Sequence, residues 1–221
     1  MFFSISGLLP GIRIYQSSYP WSAANPLDYR SLDAVPSLDV TTPVAVAGYR
    51  DFVAFAWVGI ISPTNEARLI VSRSVGGGIN FKDWTLEGLN PTWSAMTFAH
   101  ADLFGPTPTF VGVYQHEEFK TSIFVFDASN VDVAVEQHPL DLKLRAEQYL
   151  THLSIAVFSK IGVVVTGQLM TSTVLDGVLV AVIDSNFNLL TSIQIKYVSK
   201  PALFVTECKR IRDVKRNTNA R

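Results

Sequence analysis

The chain has 221 residues, 48% of them apolar and 17% charged, with a formal net charge of −1, which supports a folded core and excludes a disordered or collagen-like chain. Its longest apolar stretches, 161–170 and 177–183, are about half of the roughly 20 residues a helical membrane crossing needs, so no membrane span is expected. A single cysteine, Cys208, excludes an internal disulfide framework and argues against structural zinc, which fits an intracellular, cytoplasmic setting.

In chain order, "FFSIS" (2–6) and "GIRIY" (11–15) around the Gly7–Gly11 turn read as a hairpin. The stretch has no basic start and is broken by Gly7, Pro10 and Gly11, so a cleaved signal peptide is not expected. Residues 17–42 are rich in Pro, Ser and Asp without a sustained period, and read as a long loop anchored by Tyr19, Trp21 and Tyr29. From residue 43 onward, β-branched and aromatic runs punctuated by Gly, Pro, Asn, Asp and Ser predict strands.

Those strands repeat. "RLIVSRS" (68–74), "SIFVFDAS" (122–129) and "VLVAVIDS" (178–185) each end an apolar run on a polar turn, and Ser74, Ser129 and Ser185 are spaced by 55 and 56 residues. Two apolar runs precede each anchor: 43–48 and 52–59, 95–100 and 109–115, 153–158 and 161–168. A more polar run follows: "INFKDWTL" (79–86), "VDVAVEQ" (131–137) and "LLTSIQIKYV" (189–198). The second strand of each unit is almost unbroken apolar and the fourth alternates, the patterns of a strand covered on both faces and of a half-solvated outer strand. On that reading Val164 sits in a doubly covered inner strand, where an aspartate would unfold the chain. "PLDLKLRAEQYL" (139–150) reads as a loop with one short helix opened by Pro139, although Leu140, Leu142 and Leu144 also alternate. "ALFVTE" (202–207) reads as a final strand.

Four strands per repeat point to an all-β, propeller-like fold. The organisation is an N-terminal hairpin and long loop (1–42), three four-stranded repeats of about 55 residues (43–88, 94–138 and 150–198), and a final strand with a basic tail (199–221). The terminal strands are expected to form a split or partial fourth blade. "HLSIAVFSKIGVVVTGQ" (152–168) resembles the strand pair of kelch propellers, with Gln168 where that pattern has a second glycine, and "SRSVGGGINFKDW" (72–84) resembles the Asp-box turn of sialidase-like propellers, with Ser74 in the aspartate's place. The resemblance implies a propeller scaffold and no particular activity.

For catalysis the chain is badly equipped. The four histidines, His100, His116, His138 and His152, are dispersed, and "HEEF" (116–119) lacks the second histidine of a zinc-protease helix. No G-x-S-x-G elbow occurs, and the Gly76–Gly78 run precedes a strand rather than the helix a phosphate loop needs. Arginines Arg50, Arg68, Arg73 and Arg145 fall at unmatched places in the repeats, which disfavours a sialidase centre. No catalytic residue, metal site or cofactor is therefore assigned. The rim formed by the turns between second and third strands, together with the links between repeats, offers Trp93, His116, Glu117 and Met170 as ligand- or partner-binding candidates. Residues 199–221 carry seven Lys/Arg against two Asp/Glu, and Lys209, Arg210, Arg212, Lys215 and Arg216 form a basic tail suited to an acidic partner or nucleic acid. The leading expectation is a non-enzymatic interaction scaffold or structural subunit that binds a protein partner or itself. The alternatives are a carbohydrate-binding or glycan-processing propeller, and a β-sandwich coat protein with a basic arm.

Overall fold

The computed structural model describes residues 2–5, 12–16, 28–32, 45–49, 52–61, 63–75, 82–99, 103–158 and 161–196. Three short strands, β1 (Phe2–Ile5), β2 (Ile12–Gln16) and β3 (Asp28–Leu32), pair in that order as one antiparallel sheet. Three four-stranded antiparallel meanders follow. The first holds β4 (Ala45–Tyr49), β5 (Phe52–Ile61), β6 (Glu66–Val75) and β7 (Lys82–Leu89). The second holds β8 (Trp93–Ala99), β9 (Thr109–His116), β10 (Lys120–Asp127) and β11 (Glu136–Pro139). The third holds β12 (Gln148–Phe158), β13 (Gly162–Thr171), β14 (Val174–Ile183) and β15 (Leu189–Lys196).

The sheets pack face to face, and the first strands line up: β4 neighbours β8, and β8 neighbours β12. Because side chains alternate across a strand, the second sheet serves two cores at once. Val111, Val113, Ile123 and Val125 point into a cluster shared with Val163, Val165, Leu179 and Ala181 of the third sheet. Phe110, Tyr114, Phe124 and Phe126 point the other way, into a cluster with Ala54, Ala56, Leu69 and Val71 of the first. All eight residues of β9 are therefore buried. The two faces differ in filling: aliphatic on one side, aromatic against small alanines on the other, so volumes are matched across each gap. Gly112 belongs to the aromatic side. The Phe124 ring lies so close over it that an added Cβ would come within 2.1 Å of Phe124 Cζ.

Arg73, on β6, crosses the gap between the first and second sheets and is only 2% exposed. Its guanidinium donates to the carbonyls of Asp127 (3.5 Å), Val131 (2.8 Å) and Val133, and its Cζ lies 5.4 Å from the Trp84 ring and 5.1 Å from the Phe126 ring. Burial pulls its pKa down from 12.5 to about 10, with Asp127 and Asp132 opposing the shift, so it stays charged at neutral pH.

These contacts explain where the fourth strand of the second sheet lies. The sequence places it at 131–137, but pairing with β10 begins only at Glu136. Residues 128–135 are drawn off the sheet: Asp127 accepts from Ser129 N–H (2.7 Å), Asn130 accepts from Asp132 N–H (3.0 Å), and the Val131 and Val133 carbonyls are occupied by Arg73. The expected helix within 139–150 is absent as well. Leu140 and Leu142 enter the core while Asp141 and Lys143 face solvent, an extended alternation, and β12 begins at Gln148. The only helical turn among the described residues is the 3-10 turn Glu117–Phe119. Within the expected loop 17–42, residues 28–32 form β3. Tyr19 and Trp21, the 202–207 strand and the basic tail lie outside the described residues.

Val164 also departs from expectation. Its neighbours Val163 and Val165 are fully buried against the second sheet, whereas Val164 faces the opposite way and is partly exposed. β13 belongs to a sheet with one described neighbour, so only one of its faces is covered, and an aspartate at 164 would reach water.

Arg73→Ala should lower unfolding free energy by about 3 kcal/mol in urea titration, since three carbonyls lose their donor and a buried side chain loses two ring contacts. Gly112→Ala should cost about 2 kcal/mol or more by the same measurement, because Phe124 has no room to retreat between two packed sheets. Unchanged midpoints would contradict the packing described.

Candidate functional site

A cleft of about 450 Å³ opens where the β9–β10 hairpin meets the chain entering the third sheet, and its lining includes His116, Phe119, Ser122, Leu142, Arg145 and Gln148. The hairpin is closed by Glu117–Phe119, which lets Lys120 pair back with His116. Phe119 takes the left-handed conformation (φ 60°), uncommon for a bulky residue. That geometry turns its ring outward, 48% exposed, onto Tyr149 at 4.6 Å and 18°. Leu140 and Leu142 anchor the opposite wall. Gln148 is held at both ends: its Oε1 accepts from Arg145 N–H (2.9 Å) and its Nε2 donates to Asp176 Oδ2 (3.4 Å).

His116 ends β9 and Ser122 sits two residues into β10, a diagonal relation that brings Nε2 to 3.0 Å from Ser122 Oγ. Gly88, at φ +96°, lies against the imidazole, where a Cβ would come within 2.7 Å of Cγ and Nδ1. Nδ1 is buried and accepts or donates no hydrogen bond. Burial lowers the His116 pKa below its ordinary 6.5, with Glu117 opposing and Lys120 reinforcing the shift. Next to it, burial raises the Tyr114 pKa, and the phenol donates to the Glu87 carbonyl. A serine beside a neutral histidine has two parts of a nucleophilic relay. The third, a group orienting the base through its other nitrogen, has no place here because Gly88 occupies that side. Among the described residues no group of three or more His, Cys, Asp or Glu is arranged to hold a metal ion. What the cleft offers is an apolar floor, the exposed Phe119 ring backed by the half-buried Tyr149, and the Arg145 side chain at its edge.

The sequence-predicted rim residues gather at this end of the second and third sheets. His116 lines the cleft and Glu117 is in the hairpin turn. Trp93 opens β8 opposite Gln115 and lies 4.3 Å from the His152 ring. Met170 pairs with Tyr149 beside a register shift. The link from β7 to β8 arrives at the same end, with Asn90 N–H donating to Ala67 O and Thr92 N–H to Gln115 O, both at 2.9 Å. Phe119, Ser122, Arg145 and Tyr149 were not foreseen. An aromatic closing a hairpin was a visible signal for Phe119, whereas Ser122 becomes a neighbour of His116 only through register. The tail residues Lys209, Arg210, Arg212, Lys215 and Arg216 lie outside the described residues.

A second surface lies on the outer face of the third sheet. Register groups it into three rungs across all four strands: Ala156–Val164–Val182–Thr191, Ser154–Thr166–Val180–Ile193 and Thr151–Gln168–Val178–Ile195. None of these residues is charged and none is buried, and Ile193 is 57% exposed. The intervening rungs, with Val163, Val165, Ala181 and Ile183 fully buried, face the second sheet. A sheet face exposed to water ordinarily carries charged side chains.

No protein-family model matches the chain, and no curated protein matches it either. Among the described residues no helix is long and apolar enough to cross a membrane.

The unfolded chain binds a proton at His116 more readily than the folded one below the ordinary histidine value, so stability should fall as pH drops through it. The melting temperature is expected to decline from about pH 7.5 to about pH 5.5, and less steeply in His116→Gln. Parallel profiles would show that His116 is not the responsible group.

Proposed function

We propose that the chain is a non-enzymatic interaction module of β-propeller type, its four-stranded sheets stacked as kelch- and sialidase-like blades are, with the outer face of the third sheet as the docking surface. The observation that carries this reading is the twelve-position face without a charge and without a buried residue. Water gains nothing from such a face, whereas apolar burial contributes about 25 cal/mol per Å² when a partner covers it. The stacking of three meanders through their faces supports the propeller reading, because the same kind of surface that joins the second sheet to the third is repeated at the open end.

A second reading, carbohydrate binding, is favoured by one observation: the exposed Phe119 ring stacked on Tyr149 at the mouth of the cleft, with Arg145 alongside. Sugar rings stack on such platforms. A glycan array with the wild type and Phe119→Ala separates it from the first, since only the cleft reading expects binding that the substitution removes.

The docking surface is tested with a dye that fluoresces on apolar patches, at protein concentrations below about 1 µM where weak association is dissociated. The wild type should bind it, and Val180→Lys/Ile193→Lys should lose most of the signal at an unchanged melting temperature. A variant with undiminished dye binding would locate the exposed apolar surface elsewhere.

A further inference from the structure

The His116 imidazole ends a chain of hydrogen bonds that runs from the second sheet to the first. Its Nε2 lies 3.0 Å from Ser122 Oγ, Ser122 bonds the Tyr114 hydroxyl, and Tyr114 donates to the Glu87 carbonyl on β7. A hydroxyl has one proton to give. Tyr114 gives its own to Glu87, so Ser122 donates to Tyr114 and His116 to Ser122. That order assigns the neutral ring its proton at Nε2 and leaves Nδ1 a bare lone pair. Nδ1 is buried without a partner, and Gly88 stands against it: a Cβ there would come within 2.7 Å.

Protonation has to place a hydrogen on Nδ1, because Nε2 already carries one. An unpaired N–H bearing part of a positive charge is far costlier to bury than an unpaired lone pair. The charged and titratable side chains nearest the ring are Glu117 in the turn, Lys120 on β10, Tyr114 on β9 and Glu87 on β7, and none of them bonds Nδ1. Arg68, on β6, is paired with Glu66. Across the cleft are Arg145, Glu147 and Asp141, the last paired with Lys143. The imidazolium therefore loses its seat under Gly88.

That seat is also a fastening. His116 is the last residue of β9, and the turn Glu117–Phe119 follows directly. The turn closes on itself through Lys120 N–H to Glu117 O, and the Phe119 ring rests on Tyr149 of the third sheet. Phe119 holds a left-handed backbone, a strain that release would remove. His116 also lines the cleft, which gives the ring an exit toward water.

We propose that His116 is an acid-released latch: neutral, it fastens the end of the β9–β10 hairpin under Gly88 of the first sheet. On protonation it swings into the cleft, frees residues 116–120 and parts Phe119 from Tyr149, while the three four-stranded sheets stay folded. The latch is independent of what the protein binds at either surface.

Hydrogen–deuterium exchange of the full-length chain at about pH 7.5 and about pH 5.5, corrected for the intrinsic pH dependence of amide exchange, tests it. In the open hairpin the ring regains its ordinary pKa of 6.5, so the open population grows as pH falls below that value. Exchange at 115–121 should rise about fivefold to tenfold, while exchange at 163–183, in β13 and β14, stays the same. In His116→Gln the rise should vanish, because glutamine does not titrate. In Gly88→Ala, whose Cβ takes the ring's place, 115–121 should exchange fast at both pH values. A flat wild-type profile overturns the latch, and so does a rise that His116→Gln keeps. A rise that extends equally to 163–183 reports unfolding of the whole chain and overturns it too. Gly88→Ala exchanging as slowly as wild type at pH 7.5 shows that Gly88 is not the seat, which has the same consequence. Should either variant fail to fold by circular dichroism, the wild-type contrast between the two segments decides alone: a rise confined to 115–121 supports the latch and any other pattern overturns it.

Discussion

The guanidinium of Arg73 spends its charge inside the protein, and its surroundings are arranged to make that tolerable. A buried charge is stable only when hydrogen-bonded; here the acceptors are the backbone carbonyls of Asp127 and of Val131 and Val133 in the segment after β10, and the walls are two aromatic rings. Backbone carbonyls cannot be supplied singly. To present Val131 and Val133 together the chain after β10 must leave the sheet, turn on its own Asp and Asn side chains, and return only at Glu136. Lys82 reaches across to Asp132 at 2.7 Å on the exposed side of the same junction. The first and second sheets are thus joined by directional bonds as well as apolar burial, and their relative register follows from where one arginine can reach.

The second and third sheets meet differently. Their shared cluster is aliphatic, and the polar link is Gln115: oriented with nitrogen towards Leu150 O (2.6 Å) and oxygen towards Leu150 N (3.0 Å), its amide pairs with β12 as a backbone unit would. The Gln115 link lies at the rim where His116, Phe119, Trp93 and Tyr149 collect, whereas the Arg73 contacts lie at the other end of β10, by Asp127. A stack held at two junctions has two outer faces, and they are unequal. The far face of the first sheet is buried; that of the third is bare of charge and accessible. Among the described residues, this inequality leaves the outer face of the third sheet accessible while the far face of the first is covered.

Much of this was legible in the residues. The 55-residue spacing of the three anchors reports three meanders of four strands, because each strand needs an apolar run and each reversal a polar turn, and both leave marks in composition. The Asp and Asn side chains that close the turns do so by local bonds, as Asp184 does with Asn186 N–H and Asn188 N–H (2.9 and 2.8 Å). Where the reading failed, the deciding contact came from far along the chain. "VDVAVEQ" has a strand's alternation, yet Arg73, 58 residues away at the Val131 bond, takes its carbonyls. "DYRSL" has little strand character of its own and pairs because β2 offers it an edge. At 139–150 the sequence carried both signals, Pro139 for a short helix and the Leu140–Leu142 alternation for an extended chain, and burial of the two leucines decides for the second.

The inner strands draw the boundary most sharply. "TFVGVYQ" and "IGVVVTGQ" are equally apolar, and the alternation rule assigns both to strands covered on two sides. In the structure β9 is buried throughout, whereas β13 alternates between buried and partly exposed residues. Sequence by itself determined the three meanders, most of their strands and how many form a unit, with 131–135 and 28–32 as the exceptions, since those follow from side-chain period and turn chemistry within a few residues. Only the tertiary structure decided which faces are covered, that His116 meets Ser122, and that Arg73 is enclosed, because coverage depends on how many neighbours a sheet has, and a strand carries no record of its sheet's position in the stack.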